Sequence, residues 1–180
     1  MRIITGTARG RKLITLEGMD VRPTPDKIKE SLFNIIQFDI PGRKFLDLFA
    51  GSGQIGLEAL SRGAESCVFV DASKRSIDII EKNIATCGFE NESKVVNAES
   101  VMYIRRTPDM FDIAFLDPPY RQGLIEQVLP QVAERMNKGG TIICEHPVDE
   151  EIPEEAGSFR KFREYKYGKI ILTTYKSAEE

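Results

Sequence analysis

At 180 residues, 41% hydrophobic and 29% charged, the chain has the composition of a globular domain, which excludes a disordered or fibrous class. Its apolar runs fall far short of the ~20 residues a bilayer-spanning helix needs, and no apolar signal core follows the basic MRIITGTARGRKL start, so a cytoplasmic protein with no membrane partner is expected. The net charge of −3 excludes a uniformly basic surface but not a local one, because the acids collect in DEEIPEE, residues 149–155.

Residues 2–16 alternate weakly and contain Gly6 and Gly10, which suggests a short β-hairpin or an extended arm. Residues 1–16 carry Arg2, Arg9, Arg11 and Lys12 with no acid, a candidate positive face. In VRPTPDKIKESLFNIIQF, Thr24 is an N-cap candidate, Pro25 suits the first helical position and Asp26 complements the helix dipole. Ile28, Leu32, Ile35 and Ile36 then recur at helical spacing. Residues 1–40 are thus expected to precede a main unit at 41–180.

From residue 44 strands and helices alternate. KFLDLF reads as a strand and GQIGLEALSRG as a helix stopped by Gly63. SCVFVD is a strand, and Ser73 caps a helix running to Gly88. KVVNA, ESVMYIRR and FDIAFLD follow as strand, helix and strand. GLIEQVLPQVAERM is helical with a proline inside, GGTIICEH is a strand, and FRKFREYKYGKIILTTY reads as two strands hinged near Gly168. Repeated βα units predict an α/β fold, a mostly parallel sheet with helices on both faces and an antiparallel terminal hairpin. The five basic residues of 159–169 suit the solvated face of a strand. Cys67, Cys87 and Cys144 have no C-x-x-C pairing and read as buried thiols; with His146 as the lone histidine, no metal site is expected.

The chemistry gathers at strand ends. Gly51, Gly53 and Gly56 have G-x-G-x-x-G spacing after the first strand, and Asp71 closes the second strand about twenty residues on, where a carboxylate can accept from ribose hydroxyls. NAD satisfies this much. Asp47, inside the strand that leads to the loop, is awkward beside an anionic pyrophosphate but useful beside an ammonium group. S-adenosylmethionine carries an ammonium and no phosphates. Asn97, next to Ala98 at the end of the third strand, can accept from an adenine amino group.

FLDPPY, residues 115–120, ends the fourth strand. Two prolines fix the turn and remove two N–H donors, so it presents carbonyls and a carboxylate. An exocyclic base amine has two hydrogens to donate: Asp117 and the carbonyl of Pro118 can each accept one. Tyr120 offers an aromatic face, worth ~1–3 kcal/mol per stacked base elsewhere.

D-L-F-A-G-S-G followed by D-P-P-Y resembles the class I S-adenosylmethionine-dependent methyltransferases acting on exocyclic amines of nucleic-acid bases. RIITGTARGRKL, RPTPDKIKESLFN, LDLFAGSGQIGLEALSRGA and the terminal YGKIILTTY narrow the likeness, over nearly the full length, to the bacterial 16S rRNA guanine-N2 methyltransferases of the RsmD type. The resemblance implies a seven-stranded Rossmann-like methyltransferase fold, S-adenosyl-L-methionine as cofactor, and 16S rRNA in the small ribosomal subunit or its late precursor as partner of a monomeric chain. It implies that Asp47, Phe49, Ala50, Gly51, Ser52 and Gly53 line the methionine end of the cofactor. Asp71 and Ala72 then hold the ribose, and Asn97 and Ala98 the adenine side. Asp117, Pro118, Pro119 and Tyr120 hold the target amine. Arg2, Arg9, Arg11, Lys12, Arg22 and Thr24 belong to an RNA-facing arm and helix start. The family often has an aspartate where this chain has Asn97, which leaves Glu99 as a rival for the adenine contact. Three other readings stand beside this one: a DNA adenine-N6 methyltransferase, an NAD-dependent oxidoreductase and a non-catalytic rRNA-binding assembly factor.

Overall fold

The strands alternate large apolar side chains between two faces, and this builds the molecule. In the computed structural model, which describes residues 1–16 and 25–178, Phe45, Phe69, Ile113, Phe115 and Ile143 point to one face. Leu46, Val68, Val70, Ala114, Leu116 and Ile142 point to the other. A strand buried on both sides needs a helix on each, which βα connections provide.

The strands β1 (Lys44–Asp47), β2 (Ser66–Asp71), β3 (Ser93–Asn97), β4 (Phe111–Leu116), β5 (Met136–Pro147), β6 (Glu155–Ala156), β7 (Phe159–Tyr167) and β8 (Ile170–Ser177) form one sheet in the order β3-β2-β1-β4-β5-β8-β7-β6. The first five are parallel, and β8, β7 and β6 are added antiparallel. Helices α1 (Asp26–Ile36), α2 (Gln54–Ser61) and α3 (Lys74–Cys87) contribute to the first face, α4 (Ser100–Arg106) and α5 (Leu124–Ala133) to the second. The strand order reverses between β1 and β4, so a crevice opens beyond the carboxyl ends of these two strands.

Among the described residues eight strands are present where seven were expected. The addition, β6, is two residues long and pairs Glu155 with Arg160 and Ala156 with Phe159. A segment that short carries no alternation to read. Helix α5 stops at Ala133 rather than continuing to Met136, because Met136 already pairs with Phe111 of β4. The start of α1 has Pro25 at the N-cap position and Asp26 as the first helical residue. The proposed cap Thr24 lies outside the described residues, as does Arg22.

Residues 1–16 form a tight loop rather than a ladder, with one antiparallel bridge between Arg2 and Lys12. Ile3 donates to the Arg11 carbonyl and Leu13 to that of Met1. The arm is no loose appendage: Ile3, Ala8 and Leu13 are buried in the same apolar cluster as α1, α2 and the sheet. Gly6 is required by packing, since a Cβ there would lie 1.9 Å from the Ser61 carbonyl oxygen.

Candidate functional site

The glycine turn follows β1 directly. Gly51 and Gly53 have φ of +58° and +82°, in the left-handed region that favours glycine, and Gly53 caps α2. A Cβ on Gly51 would meet nothing within 4 Å, so the backbone there borders open space. Gly56 does something else: a Cβ would fall 2.4 Å from the Phe69 ring and 2.6 Å from the Cys67 sulfur. It lets α2 lie close on β2, the packing role of the third glycine in such turns.

The two acids of the site are held differently. Asp71 is half-buried; one carboxylate oxygen accepts from the Gly51 N–H at 2.9 Å and the other from the Ser73 N–H at 2.9 Å. It thereby ties the end of β2 to the glycine turn. Asp47 is 1% exposed and accepts from the Gly56 N–H at 3.0 Å. Burial pushes its carboxyl up to about 7 against the pull of the Gly56 bond, and the nearby Asp71 carboxylate adds to the rise. A cationic group brought to this corner would favour the ionised form.

Around the turn, Phe49 is half-buried while Ala50, Ser52 and Gly53 are buried. Ser52 faces inward, its hydroxyl donating to the Met1 sulfur at 3.7 Å. Ala72 and Asn97 are exposed and Ala98 is half-buried. The Asn97 amide nitrogen donates to the carbonyls of Asp71 and Ala72, both at 3.1 Å, which turns its amide oxygen to the remaining acceptor work. Glu99, also exposed, precedes α4 as its N-cap.

Across the switch point, β4 delivers Asp117 half-buried, Pro118 buried, Pro119 exposed and Tyr120 half-buried. Leu116 pairs with Cys144, a register that carries Asp117 alongside Glu145 of β5. Glu145 is 1% exposed, and its Oε1 accepts from the Tyr120 hydroxyl at 3.1 Å. Glu145 is not among the site residues expected from sequence; its signal there is a charged residue inside the apolar run TIICEH. Beside it, His146 is buried and bonded to the Thr173 hydroxyl at 2.7 Å. Among the described residues no cluster of three His, Cys, Asp or Glu side chains is placed to hold a metal ion, and no helix is long and apolar enough to cross a membrane.

The basic residues Arg2, Arg9, Arg11 and Lys12 are all exposed on the arm. Arg2, Lys12 and Asp26 share a cleft of about 470 Å³ with Met1 and Leu13. A mixed but mainly basic cleft of this kind suits an anionic partner.

The family model described as conserved hypothetical protein 95 matches residues 1–176. The chain is 33% identical to ribosomal RNA small subunit methyltransferase D of Escherichia coli K12, over 97% of this chain and 89% of that one. It is 39% identical to the protein of the same name from Haemophilus influenzae, over 74% and 71%. The solved structure of the Escherichia coli protein yhhF superposes with a TM-score of 0.89 at 32% identity, covering 100% and 99%. An RNA methyltransferase from Salinibacter ruber, solved with S-adenosyl-L-homocysteine, shares the fold at a TM-score of 0.68 and 14% identity, over 88% and 95%.

Proposed function

The chain belongs to the conserved hypothetical protein 95 family and is similar to relatives named ribosomal RNA small subunit methyltransferase D over most of their length, and from that premise we propose that it methylates the exocyclic N2 amine of a guanine in small-subunit ribosomal RNA. The observation that carries this reading is the juxtaposition at the switch point of a glycine turn bound to Asp71 and an Asp-Pro-Pro-Tyr turn anchored on Glu145.

The residues present fit S-adenosyl-L-methionine. Gly51 leaves open space where a side chain would intrude, Asp71 offers carboxylate oxygens for ribose hydroxyls, and the Asn97 amide oxygen suits the adenine amine. Asp47 supplies negative charge toward the methionine ammonium. The bound cofactor contributes a methyl group on a sulfonium, already activated for displacement. The protein's task is therefore position and electrostatics, and orientation alone is worth ~7–11 kcal/mol in favourable cases.

Asp117 and the Pro118 carbonyl each accept one hydrogen of the amine, which turns the nitrogen lone pair toward the crevice. Tyr120, its hydroxyl held by Glu145, presents a ring face for the base. Transfer would break the S–CH₃ bond, its electron pair returning to sulfur, as the N–CH₃ bond forms, and the proton the nitrogen then sheds goes to Asp117 or through it to water. The guanine is read unstacked, as RNA bases in loops are. The basic arm contacts phosphates.

Asp117→Ala is expected to lower methyl transfer to small ribosomal subunits by at least about 10²-fold, the usual scale for a proton-handling group. Binding of S-adenosyl-L-homocysteine, followed by calorimetry, is expected to stay within a few-fold. Loss of that binding instead would remove Asp117 from the amine-holding role. Small subunits and duplex DNA offered side by side, with the methylated base mapped, decide the substrate; transfer to adenine N6 in DNA would overturn the guanine reading.

A further inference from the structure

Asn83 is fully buried in the middle of α3 and takes no part in the chemistry just described. Its amide nitrogen donates to the carbonyl of Ser52, the middle residue of the glycine turn, at 2.9 Å, and to the carbonyl of Ile14 in the arm, also at 2.9 Å. Its amide oxygen accepts from the Ile14 N–H at 2.7 Å. One side chain thus bonds the cofactor turn and the arm at once, with both donors and an acceptor used. Ser52 is tied to the arm a second time, through its hydroxyl and the Met1 sulfur. Arm backbone bonds also close on α2, the helix that the turn opens. Ile4 and Thr5 donate to the Glu58 carboxylate at 2.7 and 3.1 Å, and Ala8 to the Ser61 hydroxyl at 3.0 Å.

A buried amide satisfied on both sides resists any change that moves one partner alone, because each broken bond leaves a polar group stranded. A ligand that stabilises the Ser52 carbonyl in its present place therefore stabilises the seated arm, and by linkage a seated arm favours the ligand equally. We propose that Asn83 is a positioning residue that couples occupancy of the glycine turn to the seating of the basic arm. RNA contacts and cofactor binding then reinforce each other without touching. This coupling rests on the glycine turn being the cofactor site, as proposed above.

Hydrogen exchange read by mass spectrometry on the full chain tests it, with S-adenosyl-L-homocysteine as the probe. In the wild type, saturation is expected to slow exchange in the glycine turn and, about tenfold, in residues 2–14 of the arm, within the usual range of coupling between sites. In Asn83→Ala the turn is expected to keep its protection while the arm's response disappears. Ile14→Pro, which removes the arm's N–H donor to Asn83 without changing a residue of α3 or the turn, is expected to weaken S-adenosyl-L-homocysteine binding about fivefold in calorimetry, the low end of the same range. Protection of the wild-type turn with no change in the arm overturns the coupling while leaving the cofactor site standing, and so does an arm response that survives in Asn83→Ala. Absence of any binding to the wild type overturns the cofactor reading and the coupling with it.

Discussion

Asp47 shows how one residue can satisfy local geometry at an electrostatic cost. Its bond to the Gly56 N–H ties β1 to the start of α2, but burial holds its carboxyl at about 7. A folded-state value above the unfolded one, 3.8, means that the native protein binds the proton more tightly between those limits. Stability is therefore expected to fall as pH rises from about 4 to about 7 and to level off above, by at most about 4 kcal/mol from this group. Asp47→Asn is expected to flatten that part of the profile when urea unfolding is compared at pH 4.5 and pH 7.5; an unchanged difference between wild type and variant would show that Asp47 does not titrate there. At the same scale Gly56 and Gly51, a few residues apart, need glycine for different reasons: one to admit a neighbouring ring, the other to hold a φ of +58°.

At the scale of elements, the arm and α1 meet α2 through a buried ion pair. Lys29 and Glu58 are both fully buried and 3.3 Å apart, Arg62 reaches Glu58 at 3.2 Å, and Lys29 also donates to the Arg2 carbonyl at 3.0 Å. Burial lowers the Lys29 pKa and the Glu58 carboxylate opposes that. Such a pair is expensive to break from one side. Glu58→Ala strands the Lys29 ammonium and two arm N–H groups, and is expected to cost about 3–5 kcal/mol in a denaturant titration. A cost below about 1 kcal/mol would show that water or a rearranged arm replaces the carboxylate. The arm's periodicity did not announce this attachment. Its local bonding is one bridge and a few turn bonds, and the side chains that seat it lie from 27 to more than fifty residues away in the chain.

For the whole molecule, charge distribution outweighs charge total. A chain of net charge −3 exposes Arg2, Arg9, Arg11 and Lys12 on the arm, while the acids of 149–155 lie in the segment after β5 that ends at the first residue of β6. If the arm meets phosphates, Arg9→Ala with Arg11→Ala is expected to weaken RNA binding across sequences and reduce the slope of log affinity against log salt by about 1–2. An unchanged slope would remove the arm from the RNA interface.

Much of this architecture was legible in the chain itself. Strands and helices alternate by period, prolines and glycines punctuate them, and D-L-F-A-G-S-G and D-P-P-Y fall at strand ends, so the parallel sheet and the positions of Asp71 and Asp117 follow from local rules. These features are readable because each depends on neighbours a few residues apart. Only the tertiary structure decided what depends on distant partners: that β6 completes the sheet's edge, that Glu145 holds Tyr120, that Asp47 is sealed from water, and that Asn83 joins the arm to the glycine turn. In sequence the buried Asn83, set among the charges of α3, looks like any solvated asparagine. Folding alone sets whether water or another part of the chain satisfies its polar atoms.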